Sequence, residues 1–279
     1  MKVCGISDIH GNLIENIPKC DVLCICGDIT PLNIQRDLSR SKHWWRNRFV
    51  NWVEKLPCKK VIVIPGNHDF YLEDVYNKNE WQLHKEYLLE LSNGKIEFLL
   101  DESYYYKGIH FYGTPWIEPI TFQESRWAFS NLEHYKYIPK CDILLTHENP
   151  LKNDYLYYNS YGKYKYHFYG HWHDGESDSL KRMYNCSRLD NCYNFKKNYE
   201  FIVIDIMTDI EKKQVEQEFL DKIIEQAKSI TASIGNNCVA DWLTLNFKTP
   251  ITQQDIEDSI PWDTSAEIPE SSVINDMED

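Results

Sequence analysis

Short apolar runs alternate along this chain with segments of helical periodicity. Runs near residues 2–7, 21–26, 59–64, 96–100, 109–113, 142–146, 166–169 and 201–206 have the length and composition of strands. In the third, Val61, Ile62, Val63 and Ile64 follow one another without a polar break, as in a strand covered on both faces. Between the second and third runs, Trp45, Phe49, Trp52, Val53 and Leu56 recur at helical spacing, with Arg46, Arg48 and Lys55 among the polar positions. That segment reads as an amphipathic helix packed on a sheet. Another begins after Ile206 and is marked by Val215, Phe219, Ile223, Ala227 and Ile230. Residues 242–247 (WLTLNF) are a candidate strand, and from Thr249 onward the periodicity fails. Alternating strands and helices predict an α/β fold. The expected division is a principal domain over 1–209, a helix and candidate strand packing on it over 210–248, and an acidic, flexible tail over 249–279. No repeat occurs at a period of roughly 20–50 residues.

At 279 residues, 42% apolar and 14% aromatic, the chain can bury one large core or a core plus an appendage, so one principal domain is expected. The start, MKVCGISDIH, enters a strand pattern at once and lacks a basic segment followed by an apolar run, so no signal peptide is expected. Nor does any stretch approach the roughly 20 apolar residues of a membrane span. The nine cysteines are scattered, never spaced C-x-x-C, and Cys24 and Cys26 lie inside an apolar strand. They read as reduced, buried packing residues of a cytoplasmic protein. Net charge changes the picture only in its distribution: nine acids and no Lys or Arg lie in 249–279, so that stretch holds most of the −13. A chain without basic excess is a poor partner for duplex nucleic acid.

The chemistry sits at the ends of the strands. The first run ends in SDIHGN, with Asp8 and His10 two residues apart and so expected on one side of an extended chain. The second ends in CGDIT, where Asp28 projects a carboxylate, and the third in PGNHD, with Asn67, His68 and Asp69. Later come LLTH, ending at His147, and YGHWH, where His171 and His173 again alternate. Carboxyl ends of strands are where an open α/β sheet gathers its ligands. Singly these motifs are weak, and His43, His84, His110, His134 and His167 read as ordinary hydrogen-bonded residues. As an ordered set they point to a metal site.

In that order, D-x-H, G-D, G-N-H-D, T-H and G-H-x-H resemble the five blocks of the calcineurin-like metallophosphoesterase superfamily, over roughly residues 3–206. FYGTPW at 111–116 and YNCSRLDNCYNFKKNYEFIVIDI at 184–206 further resemble the branch of small metallophosphoesterase-domain proteins and class III cyclic-nucleotide phosphodiesterases. The resemblance implies a four-layer αββα sandwich, two mixed sheets flanked by helices, with a dinuclear metal site at the strand ends. It implies that Asp8, His10, Asp28 and His173 hold one divalent ion and Asp28, Asn67, His147 and His171 the other, Asp28 bridging. Oxygen and imidazole ligands favour Mn²⁺, Fe or Zn²⁺. It implies attack on phosphorus by a metal-bound hydroxide, with His68 contacting the phosphate and protonating the leaving oxygen. For Asp69 two readings stand, orienting His68 or capping the following segment.

Departures narrow the substrate. Protein serine/threonine phosphatases and diadenosine-polyphosphate hydrolases carry G-D-x-x-D-R-G, whereas this chain reads GDITPLN. THENP replaces the common T-H-x-P-P, which puts Asn149 at an expected apolar contact beside the substrate. The aromatic segment 155–169 reads either as a stacking wall for a nucleobase or as core and homodimer contact, the second being favoured. The expected activity is hydrolysis of a small phosphodiester. A single-strand nuclease and a non-catalytic metal-binding scaffold are the alternatives.

Overall fold

The computed structural model describes residues 1–121, 126–197 and 199–234, the last nine of these as backbone only. The chain divides into two units, Met1–Lys213 and Gln214–Asp279. Two five-stranded sheets build the first. One runs β10-β1-β2-β3-β4, from β1 (Lys2–Ile6), β2 (Val22–Cys26), β3 (Lys60–Ile64), β4 (Ile96–Phe98) and β10 (Ile202–Asp205). The other runs β5-β6-β7-β8-β9, from β5 (Glu102–Tyr106), β6 (Ile109–Thr114), β7 (Ile143–Thr146), β8 (Tyr166–Tyr169) and β9 (Met183–Asn185). Both are mixed: β10 is antiparallel to β1 and β5 to β6, and all other pairs are parallel.

Unbroken apolar runs suit these strands because both faces are covered. Val22, Cys24 and Cys26 of β2 pack between the sheets with Ile62, Ile64, Phe111, Leu145 and Phe168. Leu23 and Ile25 point the other way, into the layer that holds Trp45, Phe49, Val53, Leu72 and Leu88. Those residues come from α1 (Leu38–Trp44), a wide π-helical turn (Trp45–Phe49), α2 (Val50–Lys55), α3 (Phe70–Asn77) and α4 (Trp81–Leu91). On the second sheet, Tyr135 of a 3-10 turn (Leu132–Tyr137) and Leu156 of α5 (Asp154–Ser160) are buried in the same way. All of Val61 to Ile64 is fully buried. Each such aliphatic contributes about 1.5–3 kcal/mol on burial, so the run can end in polar groups without losing its seat. This is the α/β sandwich that the sequence predicts.

Two strands have no counterpart among the predicted ones. β5 is an edge strand whose residues are half exposed in alternation, and β9 has three residues, paired to β8 and, at Met183, bridged to Asp178. The helices α3, α4 and α5 likewise have no counterpart among the predicted elements. A long helix, α6 (Asp209–Ile234), follows the last strand as the periodicity from Val215 predicts. The candidate strand at 242–247 and the acidic stretch 249–279 lie outside the described residues. Among the described cysteines all are free thiols, most of them buried, though Cys192 is exposed. No described helix is long and apolar enough to cross a membrane.

The aromatic segment does not behave as one surface. Phe168 and Tyr169 are core, whereas Tyr158 and Tyr161 are exposed. In-register pairing, Ile6 with Ile25, Cys26 with Ile64 and Thr114 with Thr146, brings the carboxyl ends of the strands in each sheet level with one another.

Candidate metal centre

Five loops leaving β1, β2, β3, β7 and β8 carry the strand-end residues to one place. Asp8, His10 and His173 form one group whose ligand atoms lie within 4.8 Å of one another; His10, Asp28 and His68 form a second, and Asp28, His147 and His171 a third. The groups share His10 and Asp28, so they are one centre. Asp28 reaches His147 Nε2 with one oxygen at 3.2 Å, and His10 and His68 Nε2 with the other at 3.8 and 3.7 Å. Asn67 Oδ1 lies 2.8 Å from His147 Nε2. His173 Nε2 is 3.5 Å from Asp8 Oδ1 and 3.3 Å from His10 Nε2.

Local backbone explains the convergence, and it corrects the expected reason. β1 ends at Ile6, and Asp8 (φ 52°) and His10 (φ 44°) are both left-handed rather than alternating along a strand. Asp28 (φ 54°) and His171 (φ 65°) are left-handed too, and His171 and His173 serve different groups rather than one side. Non-glycine residues in this region carry strain that the surroundings must hold, and such residues gather at functional sites. Gly66 makes the close approach possible: a Cβ there would meet the Asp28 amide nitrogen at 2.3 Å.

The carboxylates are fixed from behind. Asp8 accepts hydrogen bonds from the His171 N–H at 3.1 Å and from Ser187 Oγ at 2.6 Å. Asp28 accepts from the His68 N–H at 2.8 Å. Two imidazoles donate Nδ1–H outward to carbonyls, His147 to Cys26 and His173 to Asp190, each at 2.8 Å, which turns Nε2 into the centre. This outward bond is the usual support of a metal-ligating histidine. His10 Nδ1 is buried without a partner among the described residues.

Charge is held in the same way. Burial works against a charged His147, yet the Asp28 carboxylate pushes its pKa up to about 10. His173 rises to about 9, again against burial, through its hydrogen bond to Asp8. Burial holds His10 down at about 4. Despite burial, His147 and its neighbours keep Asp28 well below the usual carboxylate range. Ionised carboxylates, inward imidazole nitrogens and a neutral amide oxygen, packed at these distances, form a donor set that suits hard or borderline divalent cations.

Two expectations need correction. Asp69 neither touches the His68 ring nor caps α3 through its side chain. Fully buried, it accepts from Gly66 N–H at 2.8 Å, Thr30 N–H at 2.8 Å, Thr30 Oγ1 at 2.7 Å and Ile29 N–H at 3.1 Å. It therefore clamps the loop after β2 to the loop after β3, and burial raises its pKa to about 6. Asn149 is fully buried, with its Oδ1 taking the Leu151 N–H at 2.8 Å, so it closes a turn instead of facing a substrate.

The structure also adds residues that no motif marks. Gln35 Oε1 takes the hydrogen at His68 Nδ1, which is one of the two roles that stood open for Asp69. The Trp127 ring lies 4.5 Å from the His68 ring, and the Arg36 guanidinium covers Phe70 at 4.2 Å and Trp127 at 5.2 Å. Tyr193 stands edge-on to His10 and His173, at 5.1 and 5.3 Å. Gln35, Arg36, Trp127 and Tyr193 come from loops with no spacing of their own, so only the folded chain brings them in.

Comparison with known proteins gives the family. The family model for calcineurin-like phosphoesterases matches residues 1–175. A Caenorhabditis elegans protein described as UPF0046 protein C25E10.12 is 30% identical over 237 residues, covering 72% of this chain and 79% of its own. Human metallophosphoesterase domain-containing protein 1 is 28% identical over 167 residues, and the match spans 52% of this chain and 48% of that protein.

Proposed function

This chain belongs to the calcineurin-like phosphoesterases, and from that membership we propose that it is a dinuclear metal-dependent phosphodiesterase acting on a small, nucleotide-like diester. The observation that carries the reading is the shared carboxylate: Asp28 faces His147 with one oxygen and His10 and His68 with the other. A single bridging acid suits two cations about 3.5–4 Å apart. Asp8, His10, Asp28 and His173 would hold one ion, and Asp28, Asn67, His147 and His171 the other. When bound, the pair supplies an activated water and neutralises charge on the phosphoryl oxygens.

The chain's own residues do the rest. His68 faces the centre through Nε2 while Gln35 Oε1 takes the Nδ1 hydrogen, so the proton it would give to the oxygen leaving phosphorus is the Nε2 proton of its imidazolium form, a form that burial works against. Its backbone N–H holds Asp28 at the same time, which ties the acid to the bridge. Asp69 positions both loops without meeting the substrate. Trp127 and Tyr193 contribute apolar rings beside His68 and His10, which suits a diester with an aromatic or sugar substituent over inorganic phosphate.

The test is turnover of bis-p-nitrophenyl phosphate with added Mn²⁺, compared with an Asp28→Ala control. Metal-dependent hydrolysis lost in the variant supports the reading. A well-folded, metal-loaded wild type that hydrolyses no diester would leave a binding scaffold instead.

A further inference from the structure

The helical segment 38–55 does more than cover the sheet. Its outer side forms the wall of two adjoining clefts, of about 620 and 530 Å³, which share Trp44 and Arg48. Each is the size of a small-molecule site. The first begins at Gly11, directly after His10, and extends past Trp52 to Lys55; the second begins at Pro31 and extends to Arg40. Gly11 donates its N–H to Ile29 at 2.8 Å, so the clefts lie against the loops that carry His10 and Asp28.

Three observations set this groove apart from an ordinary solvated helix face. First, the cations Arg40, Arg48 and Lys55 line it, and none of their side chains has a hydrogen-bonding, ionic or ring partner among the described residues. Glu15 is the one acid among the lining residues, in a chain whose net charge is −13. Second, Trp44 is half-buried and backed by Trp45 at 5.6 Å and Phe49 at 6.0 Å, which fixes its ring while leaving it on the cleft wall. Third, Arg48 lies in the π-helical turn Trp45–Phe49, a local departure that recurs at functional positions.

We infer that this groove is a binding site, separate from the metal centre, for a nucleoside phosphate, with the base stacked on Trp44 and the phosphates on Arg48 and Lys55. Stacking on a rigid indole accepts any base, and the guanidinium pairs with phosphate oxygens. The inference does not rest on the catalytic reading, because it uses none of the metal-centre side chains.

The experiment uses the full chain in chelator, which removes binding through metals, and follows the fluorescence of mant-ADP. The expected result is saturable binding displaced by ADP but not by ribose 5-phosphate or tripolyphosphate at equal concentration. Arg48→Glu is expected to weaken it about tenfold or more, and Lys55→Glu to weaken it also, with unchanged unfolding temperatures. Asp28→Ala is expected to leave it intact. Absence of binding overturns the inference, and so does binding that survives Arg48→Glu. Displacement by tripolyphosphate as readily as by ADP would mean a charged patch without base recognition. Loss in Asp28→Ala would place the probe at the metal centre.

Discussion

Asp28 Oδ1 lies 3.2 Å from His147 Nε2 while its Oδ2 lies 3.8 Å from His10 Nε2. One carboxylate thus joins imidazoles delivered from opposite sheets, His10 following β1 and His147 following β7. The fold's two halves meet chemically at this residue.

His68 and the metal-holding groups are separable by leaving group. His68→Ala is expected to slow a nucleotide diester, whose alkoxide departs poorly, by about 10²–10⁴-fold, and a nitrophenyl ester far less. Gln35→Ala should shift rates in the same direction by a smaller factor. Steady-state kinetics on both substrates checks this. An equal loss on both would make His68 an electrostatic contact with the transition state instead of an acid.

Asp69→Ala is expected to cost about 2–4 kcal/mol of stability, because Gly66, Ile29 and Thr30 donors would be left buried and unpaired. Denaturant unfolding measures it. The pattern that contradicts a clamp is unchanged stability together with the leaving-group dependence of His68→Ala.

Metal-free stability should fall at high pH. His147 and His173 have pKa values of about 10 and about 9 in the folded chain against an ordinary 6.5. Raised values stabilise the fold fully below pH 6.5, and that contribution is lost as pH rises through the folded values. In chelator the melting temperature should therefore be lower near pH 10 than near pH 7. Metal binding competes with those protons, so Mn²⁺ should protect more as pH rises. A metal-free melting temperature that holds constant over that interval would count against the proton-bridged carboxylates.

The five loops were legible because each carries its polar residues within a few positions of an apolar run. The geometry within them was not. Asp8 and His10 share a group through two left-handed residues, and an extended reading of D-x-H reaches the right pair by the wrong path. Asp and His enter that region more readily than branched residues do, but spacing alone does not announce it. β5 and β9 were missed for a different reason. An edge strand half open to water and a strand of three residues leave little local pattern. Gln35, Ser187 and Tyr193 reach the centre from separate loops, and no local rule ties Gln35 to His68 across 33 positions. Asp69, the sequence neighbour that invited the orienting role, is turned towards Thr30.

Metal content of purified wild type and Asp28→Ala, measured by elemental analysis after loading with Mn²⁺, tests the shared carboxylate most directly. Two ions per chain in the wild type and a value near zero in the variant are the expected result, since both ions lose a ligand at once. A variant that keeps two ions would contradict the bridge, and one that keeps a single ion would mean that Asp28 serves only one of them.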